Sequence, residues 1–230
     1  MIQYKVEDRI AKIVIARPSS GNAFTGEMAR QLGEVVSRAA GEADIATLSG
    51  EGADFTIGRD RHEPKSGSPF DAFRAISAVN KAMAAFPGIL IARVQGRAFG
   101  LGVGLTMRSD IAIAATDVRF GLDEVAHGIP PMFIMEEMVS HIPPKRALDI
   151  VPSGREFGAD EALQMGLLSR VVPPENLDAA VGEFVSALRG RDRHVVMACK
   201  RYLRTVAKMP IDARSAFALV EQTEFALRKR

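Results

Sequence analysis

Apolar and polar positions alternate through residues 1–16, in a run of the form V-x-x-x-I-x-x-I-V-I interrupted at Glu7–Asp8–Arg9. A period of two marks a half-buried strand, so two short strands joined at those three residues are predicted. The period then changes. Met28, Leu32, Val35, Val36 and Ala39 share one helical face, which predicts an amphipathic helix over residues 26–40. Ala43–Ser49 is a short apolar run ended by Gly50 and Gly52, as suits a buried strand. Residues 50–69 carry Gly, Asp, Pro and Ser throughout and read as a loop. A second helix is predicted over Phe70–Phe86, stopped by Pro87–Gly88. Ile89–Val94 and Ile111–Ala115 read as further buried strands. Between them, the glycine-rich segment Gly96–Gly104 leads into a helix from Leu105 to Arg108. This order of strands and helices predicts an α/β fold with several crossovers. After Pro143–Pro144 helical spacing takes over, at Asp160–Met165 and over 177–190, 192–208 and 212–229, with Pro173–Pro174 and Met209–Pro210 between segments. The boundary is placed at Pro173, giving an α/β core over 1–173 and a helical region over 174–230.

Composition narrows the function classes. In 230 residues, Lys plus Arg number 30 and Asp plus Glu 28, a net charge of +2 that is too even to argue for nucleic acid or an anionic membrane as the main partner. No apolar run is long enough for a transmembrane helix. Charges run through the first strand-like stretch, unlike a signal peptide. Cys199 is the only cysteine, so no intrachain disulfide is expected and a reducing, cytoplasmic compartment is the simplest reading. Cys199 falls in a helical pattern and reads as packing; Arg189, Arg191, Arg193, Lys200, Arg201 and Arg204 read as a solvated helix face that also suits a phosphate.

Three stretches offer chemistry. Gly100–Leu101–Gly102–Val103–Gly104 follows a strand and precedes a helix. It fails the dinucleotide fingerprint because Leu105 stands where the last glycine belongs. Such a turn still aims free N–H groups outward at a helix start, a place for a developing negative charge. It is equally consistent with a tight turn packed on the sheet. Phe55–Thr56–Ile57–Gly58–Arg59–Asp60 also follows a strand, and is either a second N–H site or a loop whose Asp60 caps a helix. Phe120–Gly121–Leu122–Asp123–Glu124 places two carboxylates before Val125, Ile129, Met132, Phe133 and Ile134. Desolvation there would raise a carboxyl pKa and suit it to proton transfer, while the other carboxylate is a surface charge. No G-x-S-x-G elbow, Walker A or close His pair exists, so serine hydrolysis, phosphate-loop and metal chemistry find no support.

Together these stretches resemble, in order and spacing, the enoyl-CoA hydratase/isomerase (crotonase) superfamily. The likeness begins at Ala16–Arg17–Pro18 and Asn22–Ala23 and continues through Phe55–Asp60, Val94–Gly100, Ser109–Asp110–Ile111, Phe120–Glu124 and Gly128–Ile129–Pro130. It ends in Ala159–Ala162, Gly166–Leu168 and Val171–Pro173, nearly the whole chain. The resemblance implies a crotonase-like spiral of ββα repeats with a C-terminal helical region that builds a homotrimer or dimer of trimers. It implies an acyl-CoA thioester as ligand, with no separate cofactor, coenzyme A being part of the substrate. By the same likeness the backbone N–H groups of Arg59 and Leu101 form an oxyanion hole, Glu124 is the catalytic acid/base, and Ala23, Gly58, Asp60, Phe99, Gly100, Gly104, Pro130 and Phe133 bind substrate.

The departures from the pattern shape the expected reaction. Family hydratases carry a glutamate four residues after the first glycine of the second oxyanion motif, and here that position is Gly104. Dienoyl-CoA isomerases carry a further acid eight residues after the glutamate, and here that position is Met132. A single carboxylate suffices for Δ3,Δ2-enoyl-CoA isomerisation, which is the leading expectation. Hydration of a 2-enoyl-CoA is the runner-up, with Glu136 or Glu137 as a replacement acid, and a non-catalytic acyl-CoA-binding relative is the third reading.

Overall fold

The computed structural model describes residues 1–64 and 68–228. Residues 65–67 of the predicted loop, residue 229 at the end of the last predicted helix, and residue 230 lie outside the described residues.

The alternating N-terminus forms the antiparallel pair β1 (Ile2–Glu7) and β2 (Ile10–Ile15), with Glu7 opposite Ile10. Asp8 and Arg9 both have positive φ, 49° and 60°, as a two-residue type I′ turn requires. From β2 the sheet grows by parallel pairing through β3 (Ile45–Gly50), β4 (Ile89–Val94), β6 (Ile111–Ala115) and β9 (Arg170–Val172), in the order β1-β2-β3-β4-β6-β9. A smaller sheet joins β5 (Arg97–Phe99), β7 (Arg119–Gly121) and β8 (Phe157–Gly158).

Both faces of the central strands are covered, which explains their continuous apolar runs. Leu90, Ala92 and Val94 of β4 face the main core, and Ile91 faces a second cluster. The main core includes α1 (Gly26–Glu42) and α2 (Pro69–Ala85). Thr25 caps α1 by accepting from the Met28 N–H at 3.1 Å, and Met28, Leu32, Val36 and Ala39 turn inward as their spacing predicts. On the second face, α7 (Leu177–Arg189) sets Leu177 and Val181 against Ile45, Ile91 and Ile113. Each such buried aliphatic side chain stabilises the fold by about 1.5–3 kcal/mol.

Three features depart from the sequence reading. α3 spans Leu101–Arg108, so the helix starts four residues earlier than Leu105 and takes Gly102 and Gly104 inside it. Cys199 on α8 (Arg193–Val206) is exposed, where packing was expected. Lys200, grouped with the solvated cations, is instead buried.

Candidate functional site

The site is assembled by two parallel chain segments. Thr56 is paired with Ala98, and Phe99 N–H donates to Thr56 O at 2.9 Å. Two residues further along, Gly58 lies beside Gly100, a Cβ built on Gly58 falling 3.5 Å from Gly100 Cα, and the residues that follow them, Arg59 and Leu101, line one pocket. Gly58 (φ 85°) and Gly100 (φ 52°) both occupy the left-handed half of backbone space. A Cβ on Gly58 would stand 3.0 Å from Phe99 O, and one on Gly100 would stand 2.7 Å from Glu124 Oε1. Both positions therefore require glycine, for conformation and for room.

The turn at Gly58 is braced from below. Thr56 Oγ1 donates to Asn22 O at 2.7 Å and accepts from the Gly58 N–H at 3.1 Å. Asn22 is fully buried; its amide donates to Glu51 O and Asp54 O and accepts from the Arg17 N–H. Arg17 in turn donates to Ala23 O and to Asp60, whose carboxyl it holds below its ordinary range. Asp60 also accepts from the His62 N–H at 2.8 Å, so it organises the loop rather than capping a helix.

Beyond the two glycines the backbone N–H groups of Arg59 and Leu101 find no acceptor among the described residues. Leu101 is the first residue of α3, where the helix leaves its N–H groups unpaired. Both residues line one apolar pocket of about 130 Å³ together with Glu124, Pro130, Phe133 and Ile134. Glu124 sits in a short 3-10 turn, Asp123–His127, that follows β7. Its Oε2 is buried and without a hydrogen-bond partner among the described residues. Burial raises its pKa, a hydrogen bond from its own backbone N–H pulls it back in part, and the nearby charges act oppositely, Asp123 raising it and Arg61 lowering it. A buried carboxylate short of donors is a strong base for its type, and it is held beside two free N–H groups.

A second, polar cleft of about 710 Å³ meets the pocket at Arg59, which lines both. Ala23, Asp60 and Phe99 line this cleft, together with Arg17, Arg61, His62, Arg97 and Asp123. Arg97 is committed to Asp54 through two contacts of 2.9 and 2.7 Å. The guanidinium of Arg59 has no acceptor among the described residues, so the cleft keeps a positive charge to offer. Among the described residues no group of three His, Cys, Asp or Glu is arranged to hold a metal ion.

Of the sequence-derived residues, Ala23, Asp60 and Phe99 line the cleft, Leu101, Glu124, Pro130 and Phe133 line the pocket, and Arg59 lines both, while Gly58 and Gly100 shape the turns behind Arg59 and Leu101. Gly104 is the exception. It is buried on α3, where a Cβ would meet Ile134 at 3.6 Å, and it lines neither space. The candidate replacement acids are also elsewhere. α4 (Met132–Met138) carries Glu136 and Glu137, and both face Arg108, with Glu137 also 3.2 Å from His141. The sequence reading missed Glu63, which lines the pocket and accepts from the Gly26 N–H at 2.9 Å, and the ion pair between Arg61 and Asp123. Neither has a motif; only the folded loop brings them to the site.

Among the described residues, fold and site define a two-sheet α/β protein in which two main-chain donors and the half-buried carboxylate of Glu124 line one pocket. The chain belongs to the enoyl-CoA hydratase/isomerase family, whose pattern matches residues 5–226. It is similar to "Probable enoyl-CoA hydratase echA8" of Mycobacterium bovis, 31% identical over 175 residues that cover 74% of this chain and 68% of that one. It is 27% identical to the hydroxycinnamoyl-CoA hydratase-lyase of Pseudomonas fluorescens over 218 residues, 86% of this chain and 76% of that one. The crystal structure of an enoyl-CoA hydratase from Mycobacterium smegmatis superposes with a TM-score of 0.89 at 25% identity, covering 96% of this chain and 89% of that one. The crotonase fold expected from the sequence is therefore the fold observed.

Proposed function

We propose that the protein is a Δ3,Δ2-enoyl-CoA isomerase. The relatives named above act, by their names, on CoA thioesters as hydratases. The carrying observation is that Glu124 stands alone. Its buried oxygen has no partner among the described residues, Gly104 offers no second carboxylate, and Arg108 holds Glu136 and Glu137. Glu63, the other carboxylate on the pocket wall, is engaged by the Gly26 N–H.

In this reading the acyl group enters the apolar pocket, the nucleotide end lies along the polar cleft, and the thioester carbonyl sits at the junction. Glu124 takes a proton from C2 of a 3-enoyl thioester. The electron pair passes into the carbonyl, and the N–H groups of Arg59 and Leu101 receive the resulting oxyanion; each such donor lowers the barrier by about 3–4 kcal/mol. Glu124 then returns the proton at C4, the double bond moves to C2–C3, and the enzyme is unchanged. The reaction needs no separate cofactor. Exposed apolar residues on α8 and α9 (Arg214–Arg228), among them Leu203, Leu219 and Leu227, support a homotrimer or dimer of trimers, which light scattering at micromolar concentration tests.

A panel of 2-enoyl- and 3-enoyl-CoA substrates of several lengths tests the reaction. Isomerisation is expected to be at least about tenfold faster than hydration, roughly 1.4 kcal/mol in barrier. Rapid hydration without double-bond migration would move the assignment to the hydratase.

A further inference from the structure

The loop that follows the first main-chain donor and the turn that carries Glu124 are joined by one ion pair. Arg61 stands two residues after Arg59, and Asp123 immediately precedes Glu124. Their side chains meet, and both line the polar cleft. The pair is solvent-accessible, with side-chain exposures of 50% and 41%. A solvent-exposed pair of that kind adds little to stability, so it separates readily when a better partner arrives.

The other cations of the cleft are not equally free. Arg17 is held by Asp60 at 2.5 Å and by Ala23 O, and Arg97 is held by both oxygens of Asp54. Arg59 and Arg61 are the guanidiniums that an incoming phosphate can recruit without breaking a buried network. Arg59 does so without losing a partner, and Arg61 does so by leaving Asp123.

That exchange alters the charge beside the base. Around Glu124 the charged groups are Asp123 and His127 on its own turn and Arg59, Arg61 and Glu63 on the facing loop. Arg108 of α3 and Glu136 and Glu137 of α4 face one another instead. Arg61 is thus the cation that neutralises Asp123.

We propose that Arg61 and Asp123 form an exchangeable clasp: Arg61 gives up Asp123 for a phosphate of the bound ligand, and Asp123 is left as an uncompensated charge against Glu124. The free enzyme then keeps a weaker base, and ligand occupancy of the cleft strengthens it. Arg61 is a positioning residue in this scheme and does not touch the reacting atoms. The proposal rests on the reading of the ligand as a CoA thioester.

The test follows the titration of the Glu124 carboxyl by carbon NMR, in protein carrying labelled glutamate, with and without coenzyme A. It uses the parent, Arg61→Ala, Arg61→Lys and Asp123→Asn. In the parent, coenzyme A is expected to raise the midpoint by about half a pH unit to one unit, the size of a like charge brought within several ångströms. Arg61→Ala should start high and respond less, Arg61→Lys should restore the response, and Asp123→Asn should start low and stay low. An equal response in the parent and Arg61→Ala would overturn the clasp, as would coenzyme A that binds without moving the midpoint. A parent that turns over enoyl-CoA yet shows no response sinks the clasp alone, whereas a parent that neither binds coenzyme A nor turns over sinks both readings.

Discussion

Glu124 and Lys200 are both drawn largely out of solvent, and the protein treats them in opposite ways. Lys200 spends all three of its donors: on Phe86 O at 2.7 Å, on Gly88 O at 2.5 Å and on Asp110 at 2.7 Å. Asp110 is itself shared with Arg204 and the Leu90 N–H, so α8 is tied to the start of β4 by a saturated network. Burial lowers the Lys200 pKa, and Asp110 opposes that shift. Glu124 receives no such care. One of its oxygens is buried without a donor, and its pKa moves toward the neutral form. A saturated buried charge holds elements together, while an unsaturated one is held ready to bind a proton.

Removing each group in turn separates the two roles. Glu124→Gln should keep ligand affinity and lose about 10²–10⁴ in turnover, read by single-turnover kinetics. Its stability should move the other way. The folded-state pKa of Glu124 is raised, so ionising it above the unfolded value weakens the fold; the Gln variant should melt higher at neutral pH, and the gap should close as pH falls below the ordinary carboxyl range. The parent's activity should also fall on the acid side at a pH above that range, because the base must be ionised to act.

Lys200→Met should do the reverse. It strands two carbonyls and part of Asp110, at a cost of about 3–5 kcal/mol in urea unfolding, while the molecules that remain folded turn over at the parental rate. A parental midpoint would mean that the network contributes nothing.

Gly100→Ala acts on the ground between them. The new Cβ would press on Glu124 Oε1 and sit at a left-handed φ, so turnover should drop about 10–100-fold through a displaced carboxylate and donor, with strain of about 1–2 kcal/mol. Gly104→Ala is the smallest change. Its Cβ has ordinary room against Ile134 inside α3, so stability should rise by about 0.5–1 kcal/mol with activity retained.

Local signals made much of this molecule legible. Ile89–Val94 and Ile111–Ala115 are strands over the residues their apolar runs mark, and the break at Asp8–Arg9 is the hairpin turn. The small sheet of β5, β7 and β8 was not legible, because strands of two or three residues carry no period. The early start of α3 was hidden for a different reason. Glycine argues against a helix interior, yet Gly102 is needed there because a Cβ would come within 2.9 Å of Thr56 Cγ2. In the site, Glu124 and the two glycine turns were visible as motifs. The brace of Asn22 and Thr56, the pocket wall at Glu63 and the Arg61–Asp123 pair arise from contacts across 34, 37 and 62 residues of chain, and no local pattern encodes them.

The paired donors at Arg59 and Leu101 belong to the main chain, and every amino acid except proline supplies the same group. Exchanging either side chain therefore leaves the donor in place, and Arg59 is free to be retuned for whatever occupies the polar cleft. For an inhibitor built to satisfy both N–H groups, this is a durable anchor. Escape by ordinary point mutation would have to pass through the glycines that shape the turns, and so would damage the very geometry being defended.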